Sequence, residues 1–428
     1  MPSSQSNKLL KWSLIIAISG TIALGIALLF AQQADRRFDL ALEKSPLEQL
    51  QKLSQSNEHN RDHLIFYWLG IRLGEAGQDP AALSALTQAA LLNPNFAKSR
   101  YALGVILERT NHPQEAEGQL KRAIELEPNR SDPYFLLGKL YGKYGKFRES
   151  ELCLRKANSL NPNDIESRFL LSVILLELAA RTNEPFREEA RDILLKLERQ
   201  APEDTRILSL LASSQVYFSQ IKEAEALYRR ILKINPNDLK SKALLGRSIA
   251  EQATDTKAFD EAEQLLLVCA SKDSKNPAIP LAQGILFLRR TQAAKAIPYF
   301  QLAITRKTQE PEVWFHLGRA FMQVGKTAEA QQATTTFTRR DKNRREVRSL
   351  QLRLGFEAGE SQEEIKKADG MRLQIARILM EDGNYRGARK HLETILQHNP
   401  THAEAMQSLQ TCLSASATQK NNATPKTN

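Results

Sequence analysis

The chain has 428 residues, with 60 Lys and Arg side chains against 49 Asp and Glu, and a formal net charge of +11. The basic residues are interspersed with acidic ones and form no block of five or more, so they predict a solvated basic surface and make a nucleic-acid site unlikely. Three widely separated cysteines, Cys153, Cys269 and Cys412, exclude a disulfide framework and provide no zinc or haem signature.

The N-terminal region predicts a membrane anchor. Residues 1–11 form a short polar tail, and residues 12–31 contain no ionisable side chain. Twenty helical residues span about 30 Å, the thickness of a bilayer's hydrocarbon core, so we expect a transmembrane helix over 12–31. A cleaved signal peptide is the alternative, although the run is long for one and lacks an Ala-x-Ala site. We expect a single-pass protein of the plasma (inner) membrane with an extracytoplasmic C-terminal domain.

A linker is predicted next. Residues 32–58 are polar, and Pro46 opens a short amphipathic segment at 47–53. The composition predicts a polar, part-helical linker that spaces the following domain from the membrane.

The rest of the chain is organised by a repeat, which is clearest over residues 66–162. A small residue marks each unit, and five of the eight intervals between the markers are 34 residues long. A fixed period of this length indicates one supersecondary unit that is stacked repeatedly. The markers are Gly70, Gly104, Gly138, Ser172, Ala212, Gly246, Gly284, Gly318 and Ala376.

A second set of positions predicts the partner helix of each unit. Twelve residues after most markers comes another small residue, as at Ala82, and four later a larger one, as at Leu86. This spacing places both side chains on one helical face, where the small residue allows close approach and the large one fills the groove. Glycines seven residues past the marker, such as Gly77, predict left-handed helix caps. Prolines such as Pro94 predict the end of the second helix.

These residues resemble the tetratricopeptide repeat, with its Leu-Gly, Ala, Leu, Ala and Pro positions. The resemblance covers roughly residues 59–400 and implies an all-α, right-handed superhelical solenoid of antiparallel helix pairs, with about nine repeats over 59–413. Residues 338–370 do not fit the pattern, so we expect either a long second helix, uninterrupted by Gly or Pro over 327–354, or an added helix. Beyond a final capping helix at 402–413, residues 414–428 are predicted to be disordered.

The resemblance also implies a binding groove. In the family, the first helices line a concave groove, whose exposed positions lie three before and one after the marker. Each aromatic there would look the same in sequence if it packed on a neighbouring helix, so both interpretations stay open. The candidate partner-binding residues are Tyr67, Ile71, Tyr101, Val105, Phe135, Lys139, Phe169, Arg247, Phe315, Arg319 and Arg377, and Leu281 and Ile285 occupy the same positions in the seventh unit.

No motif for catalysis or cofactor binding is present, so we predict a protein that is not an enzyme. His59 and His63 have the spacing of a zinc pair but lack a third ligand, and surface histidines explain them better. We therefore predict a membrane-anchored scaffold that binds a protein or peptide segment in the groove. The alternative is an assembly or targeting subunit of a membrane complex, such as those of cytochrome maturation, polysaccharide export or secretion. No oligomeric state follows from the residues.

Overall fold

The structure is a computed structural model, and it describes residues 37–56, 62–180, 186–308, 310–357 and 361–421. Within these ranges the secondary structure is helical throughout, with no strand. None of the helices in these ranges is both long and apolar enough to cross a bilayer. The transmembrane helix predicted at 12–31 lies outside the described residues.

The chain divides into two compact units. The first contains the described residues up to Tyr144 and Lys156–Pro162, and the second contains Gly145–Arg155 and the chain from Asn163 onward. Helix α8 (Phe147–Leu160) contributes residues to both. The first unit holds α1 (37–43), α2 (Leu47–Gln55), α3 (His63–Glu75), α4 (Asp79–Leu92), α5 (Ala97–Arg109), α6 (Pro113–Leu126) and α7 (Ser131–Lys143).

The second unit continues the alternation of first and second helices. It holds α9 (Ile165–Ala179), α10 (Phe186–Gln200), α11 (Thr205–Tyr217), α12 (Ile221–Ile234), α13 (Leu239–Gln252), α14 (Thr256–Lys272), α15 (Ala278–Arg289), α16 (Ala293–Thr305), α17 (Glu312–Gln323), α18 (Thr327–Glu357), α19 (Gln362–Glu381), α20 (Tyr385–His398) and α21 (Ala403–Asn421).

Close helix pairing at the marker residues is confirmed. A Cβ atom built on Gly104 would lie 2.7 Å from Leu120 Cγ, and one on Gly284 would lie 2.5 Å from Phe300 Cε1. Each of these two glycines therefore touches the large residue sixteen positions later, on the paired helix. Both large side chains are fully buried, because no side chain at the marker holds the two backbones apart.

The small residues of the second helices are equally enclosed. Ala82, Ala116, Ala224, Ala296 and Ala388 all have no exposed surface. The predicted small–large pairing on one face of the second helix is thus the core of each hairpin.

The turns between paired helices share one backbone conformation. Gly77, Gly145, Gly325 and Gly383 have φ between 73° and 77°, as the sequence predicts. Asn111, Ser219 and Thr291 lie at the same position, seven residues after their markers, and also have positive φ, between 58° and 63°. The repeat therefore imposes the left-handed conformation even where a Cβ disfavours it.

Residues 37–56 pack on the repeats, whereas the sequence predicts a spacer. Leu42 and Leu50 are buried, and Trp68 Nε1 of α3 donates a 2.6 Å hydrogen bond to Asp39 Oδ1 of α1. Lys98 Nζ of α5 lies 3.6 Å from the other carboxylate oxygen of Asp39. Because Leu42 and Leu50 are buried and α2 contacts α3, α1 and α2 belong to the folded array.

The C-terminal part differs from the repeat pattern in two places. Of the two alternatives for residues 338–370, the structure has the long helix, because α18 runs for 31 residues. Ser361 and Glu364 then form a capping box that starts α19. The sequence predicts disorder from Ser414, but α21 continues to Asn421; half of residues 414–421 are Ala or Ser, and none is a Gly or Pro that would stop the helix.

Candidate functional site

Tyr67 is the first aromatic side chain of the predicted groove, on α3. Its ring is half-buried and packs edge-on against Phe96, with ring centroids 5.2 Å apart. Phe96 immediately precedes α5, the first helix of the next repeat. Burial raises the pKa of Tyr67 to about 12, so its phenol stays protonated at any physiological pH. Phe96, at the start of the second repeat, therefore fixes the ring of Tyr67 in the first repeat.

Tyr101 on α5 has the same surroundings one repeat later. The guanidinium carbon of Arg130 lies 5.0 Å from its ring centroid, and Arg130 immediately precedes α7. A cation over an aromatic face at this distance is stabilising. Burial, and then the nearby Asp132 carboxylate, raise the pKa of Tyr101. Like Tyr67, this ring is held by the following repeat with part of its surface exposed.

The other candidates of the first unit differ in exposure. Ile71, Val105 and Phe135 are half-buried, and Lys139 is exposed. The ammonium of Lys139 lies 3.9 Å from a carboxylate oxygen of Glu108 on α5. We call Tyr67, Tyr101 and Phe135 the aromatic row. All three are partly exposed, so each both packs against its surroundings and leaves surface that a partner could contact.

Phe169 begins the series in the second unit and is mainly a packing residue. It is half-buried against the core formed by α10–α15, and the guanidinium carbon of Arg206 lies 5.1 Å from its ring centroid. Glu166 and Asp204 in turn hold Arg206 through hydrogen bonds of 2.5 and 2.7 Å. As with Tyr67 and Tyr101, the contacting residue, here Arg206, lies near the start of the first helix of the following repeat.

Two of the predicted basic groove residues are bound within the chain. Arg247 donates hydrogen bonds of 2.9 Å to Glu251 and 2.8 Å to Glu310. Arg377 donates a 2.7 Å hydrogen bond from Nε to Glu404 of α21. Glu251 lies one turn along the same helix as Arg247, whereas Glu310 and Glu404 come from positions that the repeat pattern does not connect with the groove.

Leu281 and Ile285, the groove positions on α15, are closed off. Both side chains are buried, and both belong to the core that includes Val313 and Leu317 of α17. The sequence predicts exposed positions here; instead α15 is enclosed on both faces by its neighbours. Its run of apolar side chains allows this, since none requires contact with water.

Helix α17 carries two exposed candidates. Phe315 is 44% exposed and packs against Phe337, with centroids 5.6 Å apart, and Arg319 is exposed beside it. The neighbouring His316 is stacked on Phe300. Burial, helped by the positive charges of Arg319 and Arg247, lowers the pKa of His316 to about 4. This histidine is therefore neutral at physiological pH.

Sequence reasoning missed exposed apolar residues one turn further along the first helices. Met322, four residues after its marker, is 60% exposed, and Tyr217, five after its marker, is 59% exposed. The guanidinium carbon of Arg187 lies 3.7 Å from the Tyr217 ring centroid. The helical period could have identified these positions, because one turn from the position after the marker leads to them.

The histidines carry no metal site in the described part of the chain. His59 lies outside it, and His63 contacts Asn93 at 3.2 Å. His398 Nδ1 lies 3.0 Å from the Asp369 carboxylate. Across the described ranges, no group of three or more His, Cys, Asp and Glu side chains is arranged to hold a metal ion.

Paired helices with a small residue at each close contact define a helical-repeat protein, and comparison with family models identifies the repeat. The tetratricopeptide repeat matches residues 67–133 and again residues 131–164. The chain therefore carries tetratricopeptide repeats from α3 to α8, which confirms the resemblance over these residues. A search of curated proteins finds no match.

Solved structures similar to this chain have low sequence identity and include tetratricopeptide-repeat proteins. One from Parabacteroides merdae is 17% identical with a TM-score of 0.46, over 61% of this chain and 98% of that one. PilF of Pseudomonas aeruginosa is 16% identical with a TM-score of 0.45, over 52% and 98%. YrrB, a repeat protein with an unusual peptide-binding site, is 20% identical with a TM-score of 0.40, over 46% and 97%. At these TM-scores the likenesses carry no argument about partners.

Proposed function

We propose that the protein is a membrane-anchored scaffold whose first-helix faces bind a segment of a protein partner. Tetratricopeptide repeats are protein-binding modules, and this chain carries them at 67–164. The observation that supports the proposal best is the aromatic row, where half-buried rings recur at one position of successive first helices.

The fixation of these rings favours binding. Phe96 holds Tyr67, and Arg130 holds Tyr101, so neither ring loses much conformational freedom when a partner covers it. Ordering a free side chain at an interface costs roughly 0.5–1.5 kcal/mol, and a ring that is already fixed avoids most of that cost. Aromatic residues held in this way are typical of the side chains that dominate binding energies.

Charged residues beside the exposed rings would set the position of a partner. Arg319 is exposed, and Lys139 is exposed with only a 3.9 Å contact to Glu108, whereas Arg247 and Arg377 are hydrogen-bonded to carboxylates of the chain. Acidic groups on the partner would therefore pair with Lys139 and Arg319. Such pairs affect specificity and association rate more than affinity.

Anchoring follows from the apolar segment at 12–31. Because α1 already packs on the repeats at residue 37, only five residues separate it from Ala31. A segment of that length reaches at most about 20 Å. The first repeat would therefore lie next to the bilayer, and we propose the extracytoplasmic side for it on the basis of the flanking Lys and Arg residues.

Partner capture from native membranes tests the binding proposal. We expect the variant carrying Tyr67→Ala, Tyr101→Ala and Phe135→Ala to lose proteins that the wild type captures. The matched control carries Leu91→Ala and Leu152→Ala, which remove exposed apolar side chains of second helices. Circular dichroism checks that each variant folds. Equal capture by both variants would contradict the proposal, and stoichiometric recovery of a membrane enzyme would indicate the assembly-subunit alternative.

Membrane fractionation tests the anchor. We expect the full chain in the membrane fraction after an alkaline wash, and a variant lacking residues 12–31 in the supernatant. A reporter fused to the C-terminus identifies the side of the membrane. Full-length chain released by the wash would contradict anchoring.

A further inference from the structure

The long helix α18 borders a cavity that the repeat pattern does not predict. The cavity has a volume of about 380 Å³ and lies within the second unit. Seven basic and two acidic side chains occur in residues 339–353 of this helix, so fifteen residues carry +5 of the chain's +11. Residues that line the cavity include Ala180, Pro311, Arg340, Val347, Arg348 and Leu379. We call this space the α18 cavity.

The lining combines apolar and cationic surface. Ala180, Pro311, Val347 and Leu379 provide the apolar part, from four different segments. Arg340, Arg344 and Arg348 follow one another at intervals of four residues, so they lie along one face of α18. A site of this composition suits an apolar group with an acidic group beside it.

The three arginines differ in their partners. Arg340 donates a 2.8 Å hydrogen bond to the carbonyl oxygen of Asp382, and Arg344 donates hydrogen bonds of 2.8 Å to Glu312 and to Asp341. Arg348 is exposed and has no hydrogen bond or ion pair with any described residue. The first two therefore hold the cavity wall in place, and Arg348 is the cation available to a ligand.

We propose that the α18 cavity binds an acidic, partly apolar peptide segment of a protein partner, with an apolar side chain inside and a carboxylate on Arg348. This inference rests on the proposed protein-binding function and names the chemistry of one partner segment. Glu177 and Asp382 also line the cavity. These two carboxylates leave Arg348 as the place where an acidic group can bind, and a phosphate backbone has no apolar group to fill the space beside it, so a peptide is favoured over nucleic acid.

Fluorescence anisotropy on the full-length chain tests the proposal with a labelled peptide of alternating glutamate and leucine. We expect Arg348→Glu to weaken binding about tenfold or more, because it places like charges together. The matched control is Arg339→Glu, which makes the same charge change at an exposed position of α18 outside the cavity lining, and we expect a loss of less than about threefold. Gln351→Trp fills the cavity without changing charge and should also abolish binding.

Several outcomes would overturn the inference. These are no binding by the wild type, equal losses for Arg348→Glu and Arg339→Glu, no loss for Gln351→Trp, or tighter binding of single-stranded DNA or phosphatidylglycerol vesicles than of the peptide. The two proposals fail separately. If Arg348→Glu leaves peptide binding intact while the aromatic-row variant loses its native partner, only the cavity inference fails. If Arg348→Glu weakens peptide binding while the aromatic-row variant keeps its native partner, the cavity inference stands and the proposed role of the aromatic row fails.

Discussion

Replacing Gly284 by alanine adds one methyl group at the closest contact between paired helices. The new Cβ would lie 2.5, 2.6 and 2.9 Å from three ring atoms of Phe300, which is fully buried. Overpacking of a core by a methyl group costs roughly 1–3 kcal/mol. Alanine also has a higher helix propensity than glycine, by about 1 kcal/mol. Because the contact involves a rigid ring, we expect the clash to be at the upper end of its range and to exceed the propensity gain, so the variant should be destabilised by about 1–2 kcal/mol.

Gly118→Ala is the matched control. Gly118 lies inside α6, is exposed, and a Cβ built there meets nothing within 4 Å. Only the propensity difference then applies, so this variant should be stabilised by about 0.5–1 kcal/mol. Urea unfolding of the full-length chain, followed by circular dichroism, measures both changes. Since repeat arrays can unfold in more than one step, the transition that includes the substituted helix is compared.

A double variant separates the contact from other effects. Phe300→Ala alone creates a cavity and should cost about 3–5 kcal/mol. In that background Gly284→Ala has room, so it should be neutral or stabilising, and the two substitutions should be strongly coupled. Stabilisation by Gly284→Ala alone, or an equal cost with and without Phe300, would refute the packing argument.

Three further predictions concern single residues. Thr291→Gly should stabilise the chain by about 1 kcal/mol in urea unfolding, because Thr291 is β-branched and has a φ of 58°, whereas Asn111→Gly should be nearly neutral because asparagine tolerates this conformation. The pKa of His316 is about 4 in the folded chain, so between pH 6.5 and 4 the unfolded chain binds a proton there that the folded chain does not. The free energy of unfolding should therefore fall by about 3 kcal/mol over this pH range. His316→Gln should remove that part of the decline. Arg377→Ala should change stability by less than about 1 kcal/mol because its ion pair with Glu404 is solvent-exposed, and a large loss would contradict this.

The hairpin and its phase could be predicted from sequence because they depend on local geometry. A glycine such as Gly104 is needed where two backbones meet, and one such as Gly77 where φ is positive. These demands recur every 34 residues and are visible in the sequence. The resemblance to the tetratricopeptide repeat, rather than this geometry, identified the first-helix positions at which Tyr67 and Phe315 occur.

The exposure of the candidate residues could not be predicted, because it depends on distant parts of the chain. Tyr101 is half-buried because Arg130 of the next repeat covers its ring. Arg247 is bound to Glu310, which is 63 residues away. Ile285 is buried because neighbouring helices close over α15. The spacing of residues within one repeat therefore cannot predict these contacts.

The α18 region shows a different limit. The absence of Gly and Pro over 327–354 allows a long helix, but the cavity beside it also needs Ala180 and Leu379 from other helices. The net positive charge of residues 339–353 can be counted in the sequence. A search for uninterrupted basic runs misses it, because Asp341 and Glu346 lie among the basic residues.

Site-specific photo-crosslinking in intact cells tests most directly whether the first-helix faces bind a protein. A photoreactive phenylalanine analogue is placed singly at Tyr101 and at Phe315, and at the exposed second-helix positions Leu91 and Leu152 as controls. We predict that the first two sites crosslink to a discrete partner protein and that the controls do not. Crosslinks of equal yield at all four sites, or none at Tyr101 and Phe315, would contradict the proposed function.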